Sequence, residues 1–80
     1  MMSTIFSQHA KDQIKRRGIS QKKVLQIISS PTDIISSFRN RKLRRGIVGD
    51  KLLEVVTRTE GSKITVITAY YLENSYENEI

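Results

Sequence analysis

Cysteine is absent from the 80 residues, so neither a disulfide nor a thiolate metal site can supplement the core. Tryptophan is absent too, histidine occurs once, at His9, and proline once, at Pro31. No apolar run approaches the roughly 20 residues that a membrane span needs, which excludes a helical membrane protein. The start, Met1-Met2-Ser3-Thr4-Ile5-Phe6, lacks the basic lead and long apolar stretch of a secretory signal, so the expected location is the cytoplasm. Paired histidines, carboxylate clusters, cysteine pairs and glycine-rich phosphate loops are all missing, so neither a metal nor an organic cofactor is expected. No serine stands in a nucleophile elbow, which argues against covalent serine hydrolysis.

Acidic residues are also scarce, 8 against 14 Lys and Arg, for a net charge of +6. Their placement sharpens the imbalance. Three of the eight, Glu73, Glu77 and Glu79, crowd into the last eight residues, while every basic residue lies between Lys11 and Lys63. Up to residue 72, then, 14 basic residues face five acids, a net +9. Such a surface attracts phosphate polymers and steers their approach, without specifying sequence or chemistry. The expected partner is a polyanion, foremost RNA.

A chain of this length forms one domain, burying only about 60% of the surface that its unfolded form exposes. Ser7 is placed to cap a first helix over Gln8 to Arg17, with His9, Gln13 and Ile14 at helical spacing and Gly18 as its stop. Ser20 caps a second helix, whose apolar stripe is Val24, Leu25, Ile27 and Ile28; the Ser30-Pro31 pair ends it. From Asp33 the pattern changes to short β-branched runs separated by turn residues. Four antiparallel strands are expected, Ile34 to Phe38, Lys42 to Val48, Leu52 to Thr59 and Lys63 to Tyr71, joined at Arg39-Asn40-Arg41, Gly49-Asp50 and Glu60-Gly61-Ser62. Alternation puts Leu53, Val55 and Thr57 on one face of the third strand and Leu52, Glu54, Val56 and Arg58 on the other. With helices on one side only, the second, charged face stays open. The fourth strand is apolar on both faces, as an interior strand would be, and Thr68 and Tyr70 share one of them. The fold expected from residues 1 to 72 is therefore α+β, two N-terminal helices on a curved antiparallel sheet. Residues 73 to 80 are too polar to add to the core and read as a flexible acidic tail.

Metal-free cleavage of RNA needs a base for the 2′-OH proton, cations for the crowded phosphate and an acid for the leaving oxygen. His9, the one imidazole and a group that can both take and give a proton, is the natural proton carrier, and Glu54, Tyr70 or Tyr71 could share the proton work. A lone histidine in a first helical turn is more often a packing or capping residue than a catalyst. Arg39, Arg41, Arg44 and Arg45 form a phosphate track, with Lys15 and Arg16 as further cations on the first helix. The alternative for the track is the solvated side of an edge hairpin that discourages strand-to-strand aggregation.

The ordered set Phe6-Ser7-Gln8-His9-Ala10, Arg17-Gly18-Ile19-Ser20, Val24, Pro31 and Val66-Ile67-Thr68-Ala69-Tyr70 resembles a family of small prokaryotic domains of unknown function, grouped with the RelE and BrnT toxins. The resemblance runs from Phe6 to Tyr71. It implies a RelE-like fold and a type II toxin or a relative of one, either an endoribonuclease of the mRNA interferase kind that cuts RNA without metal, with or without the ribosome, or a domain that retains only the scaffold. It also implies an antitoxin partner. By position, His9 and Arg17 match the helix motif, and Thr68 and Tyr70 the last-strand motif. Face assignment adds Arg45 and Arg58 as phosphate-binding residues. The acidic stretch after Tyr71 departs from RelE-like nucleases, which often keep a basic or tyrosine residue close to the C-terminus. Two other readings stay open: a non-catalytic RNA-binding domain, and a protein-interaction module whose basic face grips an acidic partner.

Overall fold

The computed structural model describes residues 3–72; the acidic segment read as a flexible tail lies outside them. Two helices cover one face of a five-stranded sheet. In chain order the elements are β1 Ser3–Phe6, α1 Gln8–Arg16, α2 Gln21–Ser29, β2 Asp33–Ser36, β3 Arg41–Val48, β4 Lys51–Glu60 and β5 Lys63–Leu72. The order across the sheet is β1-β5-β4-β3-β2.

The four expected strands are present as β2 to β5, but two features differ from expectation. A fifth strand, β1, pairs parallel to β5, with Ser3 opposite Lys63 and Phe6 opposite Val66, so the sheet is mixed rather than antiparallel. Four residues without alternation carry no strand signal, and their partner lies at the far end of the chain. Phe38, expected inside a strand, instead leaves the ladder after Ser36 and stands 70% exposed.

The helix ends account for much of the sequence punctuation. The Ser7 hydroxyl accepts from the Ala10 amide at 3.0 Å, and the Ser20 hydroxyl from the Lys23 amide at 3.1 Å. Both bonds satisfy amides that a helix start leaves without a partner. At the end of α1 the chain turns through Gly18 at φ +70°, with the Ile19 amide donating to Ile14 O at 2.8 Å and the Gly18 amide to Lys15 O at 3.2 Å. That is a Schellman closure, which needs a left-handed residue where glycine pays no Cβ penalty, and the buried Ile19 supplies its apolar contact.

Ala10 and Ile14 of α1 and Val24, Ile27 and Ile28 of α2 pack with Ile19 on Leu53, Val55, Ile64, Val66 and Ala69 of the sheet. Each large apolar side chain buried this way stabilises the fold by about 1.5–3 kcal/mol before conformational entropy is subtracted. Leu25, read as part of the α2 stripe, is 40% exposed, because it lies off the side that Val24, Ile27 and Ile28 present to the sheet. Gly46 on β3 lets α2 approach, since a Cβ there would come within 2.9 Å of Ile27 Cγ1.

Between β4 and β5 the register shifts at Val56/Thr57: Val56 faces Thr68 while Thr57 faces Val66, leaving Ile67 without an opposite residue. This bulge exchanges the faces of β5. Ile64 and Val66 before it, and Ala69 after it, all point into the core, which strict alternation forbids. The bulge therefore turns Thr68 and Tyr70 onto the open face opposite Val56 and Glu54.

Candidate functional site

On the open face the register places Arg45 opposite Glu54 on one side and Tyr70 opposite Glu54 on the other. The three side chains meet. Arg45 Nε donates to Glu54 Oε1 at 2.6 Å, and the Tyr70 hydroxyl donates to Glu54 Oε2. Glu54 itself is 3% exposed, so the face expected to be open buries its central carboxylate beneath these two neighbours. A buried carboxylate survives only when its oxygens are paired, and here both are. Burial chiefly, together with the hydrogen bond to Glu54 and its negative charge, pushes the Tyr70 phenol up to about 12; the Arg45 and Arg17 charges oppose that rise. Tyr70 thus keeps its proton at neutral pH. The Arg45 side chain is 31% exposed, and with Nε committed to Glu54 its terminal nitrogens remain for an anion.

Arg17 approaches from the helix layer. One of its terminal nitrogens, Nη1, donates to Thr68 Oγ1 at 3.2 Å and to the Ala69 carbonyl at 2.9 Å. Strand β1 pairs with β5 only as far as Val66, so Arg17 covers the stretch of that edge that β1 leaves uncovered. At the other end of α1 the Ser7 amide donates to Val66 O at 3.3 Å, mooring the first helical turn beside the bulge. His9 sits in that turn, exposed, at the opposite end of α1 from Arg17, eight residues and roughly 12 Å away along the helix axis. No hydrogen bond joins His9 to the network among the described residues.

The structure thus brings together Arg17, Thr68, Tyr70 and Arg45, separated by up to 53 positions in sequence, around Glu54. It separates the others. Arg58 lies four residues along β4 from Glu54, roughly 13 Å at strand rise, and forms a loose ion pair with Glu60 at 3.6 Å. The track of arginines on β3 is split by alternation. Arg41 and Arg45 share the open face, whereas Arg44 points to the helix side, where its Nε donates to Thr57 Oγ1 at 3.1 Å. Lys15 and Arg16 are exposed in the last turn of α1, where positive charge complements the helix dipole. Arg39 occupies the hairpin tip between β2 and β3 at φ 60°. Sequence reasoning noted Glu54 only as one of several groups that could share a proton. Its signal was an acid amid β-branched neighbours on a strand face, and its pairing depended on a register that sequence does not display.

The geometry also divides the motif residues by task. Ser7 caps, Ala10 packs, Gly18 and Ile19 close the helix, and Val66 and Ala69 build the core. Those positions follow from the fold alone. Arg17, Thr68 and Tyr70 do not, because each places a polar group at or beside the open face, and His9 is exposed in the first turn of α1 without a packing role. The family model described as Domain of unknown function (DUF4258) matches residues 6–71. No curated protein and no solved structure matches the chain.

Proposed function

The chain belongs to the DUF4258 family, and from its site we propose a toxin-like endoribonuclease of the RelE or BrnT kind, acting on RNA without a metal. The observation that carries this reading is the gathering of two arginines, a buried carboxylate and a tyrosine at the sheet face that the helices leave open. In the proposed reaction Arg45 and Arg17 hold the scissile phosphate. Thr68 and Tyr70 set their positions: Thr68 accepts from Arg17, and Tyr70 holds the carboxylate that orients Arg45. His9 takes the proton of the ribose 2′-OH as that oxygen attacks phosphorus. The bond from phosphorus to the 5′ oxygen then breaks, that oxygen takes a proton from solvent water as it leaves, and a 2′,3′-cyclic phosphate remains. Charge neutralisation by the arginines lowers the barrier, and general base catalysis contributes typically 10²–10⁴-fold. Arg58 and Arg41 on the same face extend the backbone contact, and an acidic antitoxin segment would compete for it.

A second reading, binding of RNA without cleavage, is favoured by a specific observation: Glu54 has both oxygens occupied, and Tyr70 holds its proton to about pH 12. Incubating purified protein with end-labelled RNA in a chelating buffer separates the two. The nuclease reading predicts cleavage products ending in cyclic phosphate, with His9→Ala and Arg17→Ala each slowing cleavage by about 100-fold or more. Salt-sensitive binding without products, indifferent to His9→Ala, would establish the second reading instead.

A further inference from the structure

The turn between β2 and β3 is built at a conformational cost. Arg39 and Asn40 both have positive φ, 60° and 61°. Asparagine tolerates that region, but an arginine is strained there. Just before it, the Ser37 amide donates to Arg41 O at 2.8 Å and the Arg41 amide to Phe38 O at 3.2 Å, so two residues oppose one. A bulge of this sort re-aims a side chain, and here it extrudes Phe38. The phenyl ring is the most exposed large apolar group among the described residues, 70%, with the Arg39 guanidinium 5.8 Å from its centroid.

The same hairpin end carries a recess of about 270 Å³ lined by Ser36, Ser37, Asn40, Arg41, Lys42 and Thr59, residues that bracket Phe38 in sequence. Among the described residues two buried side-chain polar atoms have no hydrogen-bond partner, Arg41 Nε and Thr59 Oγ1, and both belong to residues lining it. A buried donor without a partner is costly unless a ligand or water meets it. Arg41 is also the direct cross-strand partner of Arg58, a like-charge pair that destabilises a sheet unless an anion lies between.

We propose that this hairpin end is a nucleotide subsite for single-stranded RNA, in which a base stacks on Phe38 and its phosphate is held at Arg41 and the recess beside it. The inference rests on the RNA reading above and extends it to a second contact, separate from the Arg45–Glu54–Tyr70 network. A flat exposed ring with a guanidinium over it, at the same hairpin end as a recess with unpaired polar atoms, suits an unstacked base with its phosphate, whereas a duplex keeps its base faces covered.

Phe38 makes the test clean, because its exposure lets it be replaced without disturbing the core. Binding of the full chain to a short single-stranded RNA oligomer and to an abasic oligomer of equal length is compared for wild type, Phe38→Ala, Phe38→Trp and Arg17→Ala. The proposal predicts roughly tenfold weaker RNA binding by Phe38→Ala with abasic binding unchanged. It also predicts retained affinity in Phe38→Trp, whose single tryptophan, in a chain that otherwise has none, is quenched by the RNA. If Phe38→Ala binds RNA as tightly as wild type while Arg17→Ala binds weakly, the subsite is refuted and the RNA reading stands. Equal loss on both oligomers also refutes stacking. If wild type binds neither, both readings fail together.

Discussion

Glu54 is the residue on which the open face depends, because its carboxylate is buried while its two partners are partly wet. Removing Arg45 leaves that charge uncompensated. Arg45→Ala should therefore lower the unfolding free energy in urea by about 2–3 kcal/mol, somewhat less than for a fully buried pair because water reaches the vacated side. Arg45→Ala combined with Glu54→Gln should recover part of that loss, since a neutral amide is cheaper to bury than a lone carboxylate. Tyr70 gives a pH signature. Its folded value of about 12 lies above the ordinary 10.0, so the fold favours the protonated phenol. That contribution is fully present below pH 10 and is lost as pH rises toward 12. The stability difference between wild type and Tyr70→Phe should accordingly be flat up to pH 10 and shrink between pH 10 and 12; a difference that grew there would contradict the assignment. None of these pairings is written in the local sequence. Arg45, Glu54 and Tyr70 each lie on an expected strand and the expected face of β4 was correct, but their meeting depends on the bulge at Ile67, which no turn residue marks.

At the scale of elements, two substitutions test the account of packing and turns. Gly46→Ala places a methyl 2.9 Å from Ile27 Cγ1, an atom near the α2 backbone that cannot swing aside. It should cost about 1–3 kcal/mol in chemical denaturation through overpacking, where an ordinary strand Gly→Ala would be neutral or favourable. Replacing Arg39-Asn40 by Asn-Gly, the pair that this turn geometry favours, should stabilise the chain by about 1 kcal/mol. Elements whose ends carry their own chemistry were legible. Ser7 and Gly18 bracket α1 within one residue of expectation, and Gly49 and Gly61 mark hairpins with positive φ. The residues that sequence misplaced lacked such marks. Ser3–Phe6 is too short to show a period and pairs across the whole chain, Leu25 fits an apolar stripe but falls off its buried side, and Phe38, two serines after Ile34-Ile35, reads as a strand end that a bulge instead turns outward.

For the whole molecule, charge and the mixed sheet combine into one surface: the helices occupy one face, and Arg41, Arg45 and Arg58 stand on the other. If RNA lies there, log affinity should fall linearly with log salt, with a slope near −0.7 per phosphate neutralised, and Arg45→Ala should reduce that slope by roughly one contact. The basic balance was plain in composition, whereas the division of the arginines between faces became visible only with the register. The central claim is that this face serves RNA cleavage, and induced expression in a bacterial host tests it most directly because ribosomes and every natural RNA are present. Wild type and His9→Ala are produced at matched levels, and growth and total-RNA integrity are followed. The account predicts arrest with cut RNA for wild type, relieved by His9→Ala. Undiminished growth and intact RNA with wild type, at a level where the folded protein is abundant, would contradict it.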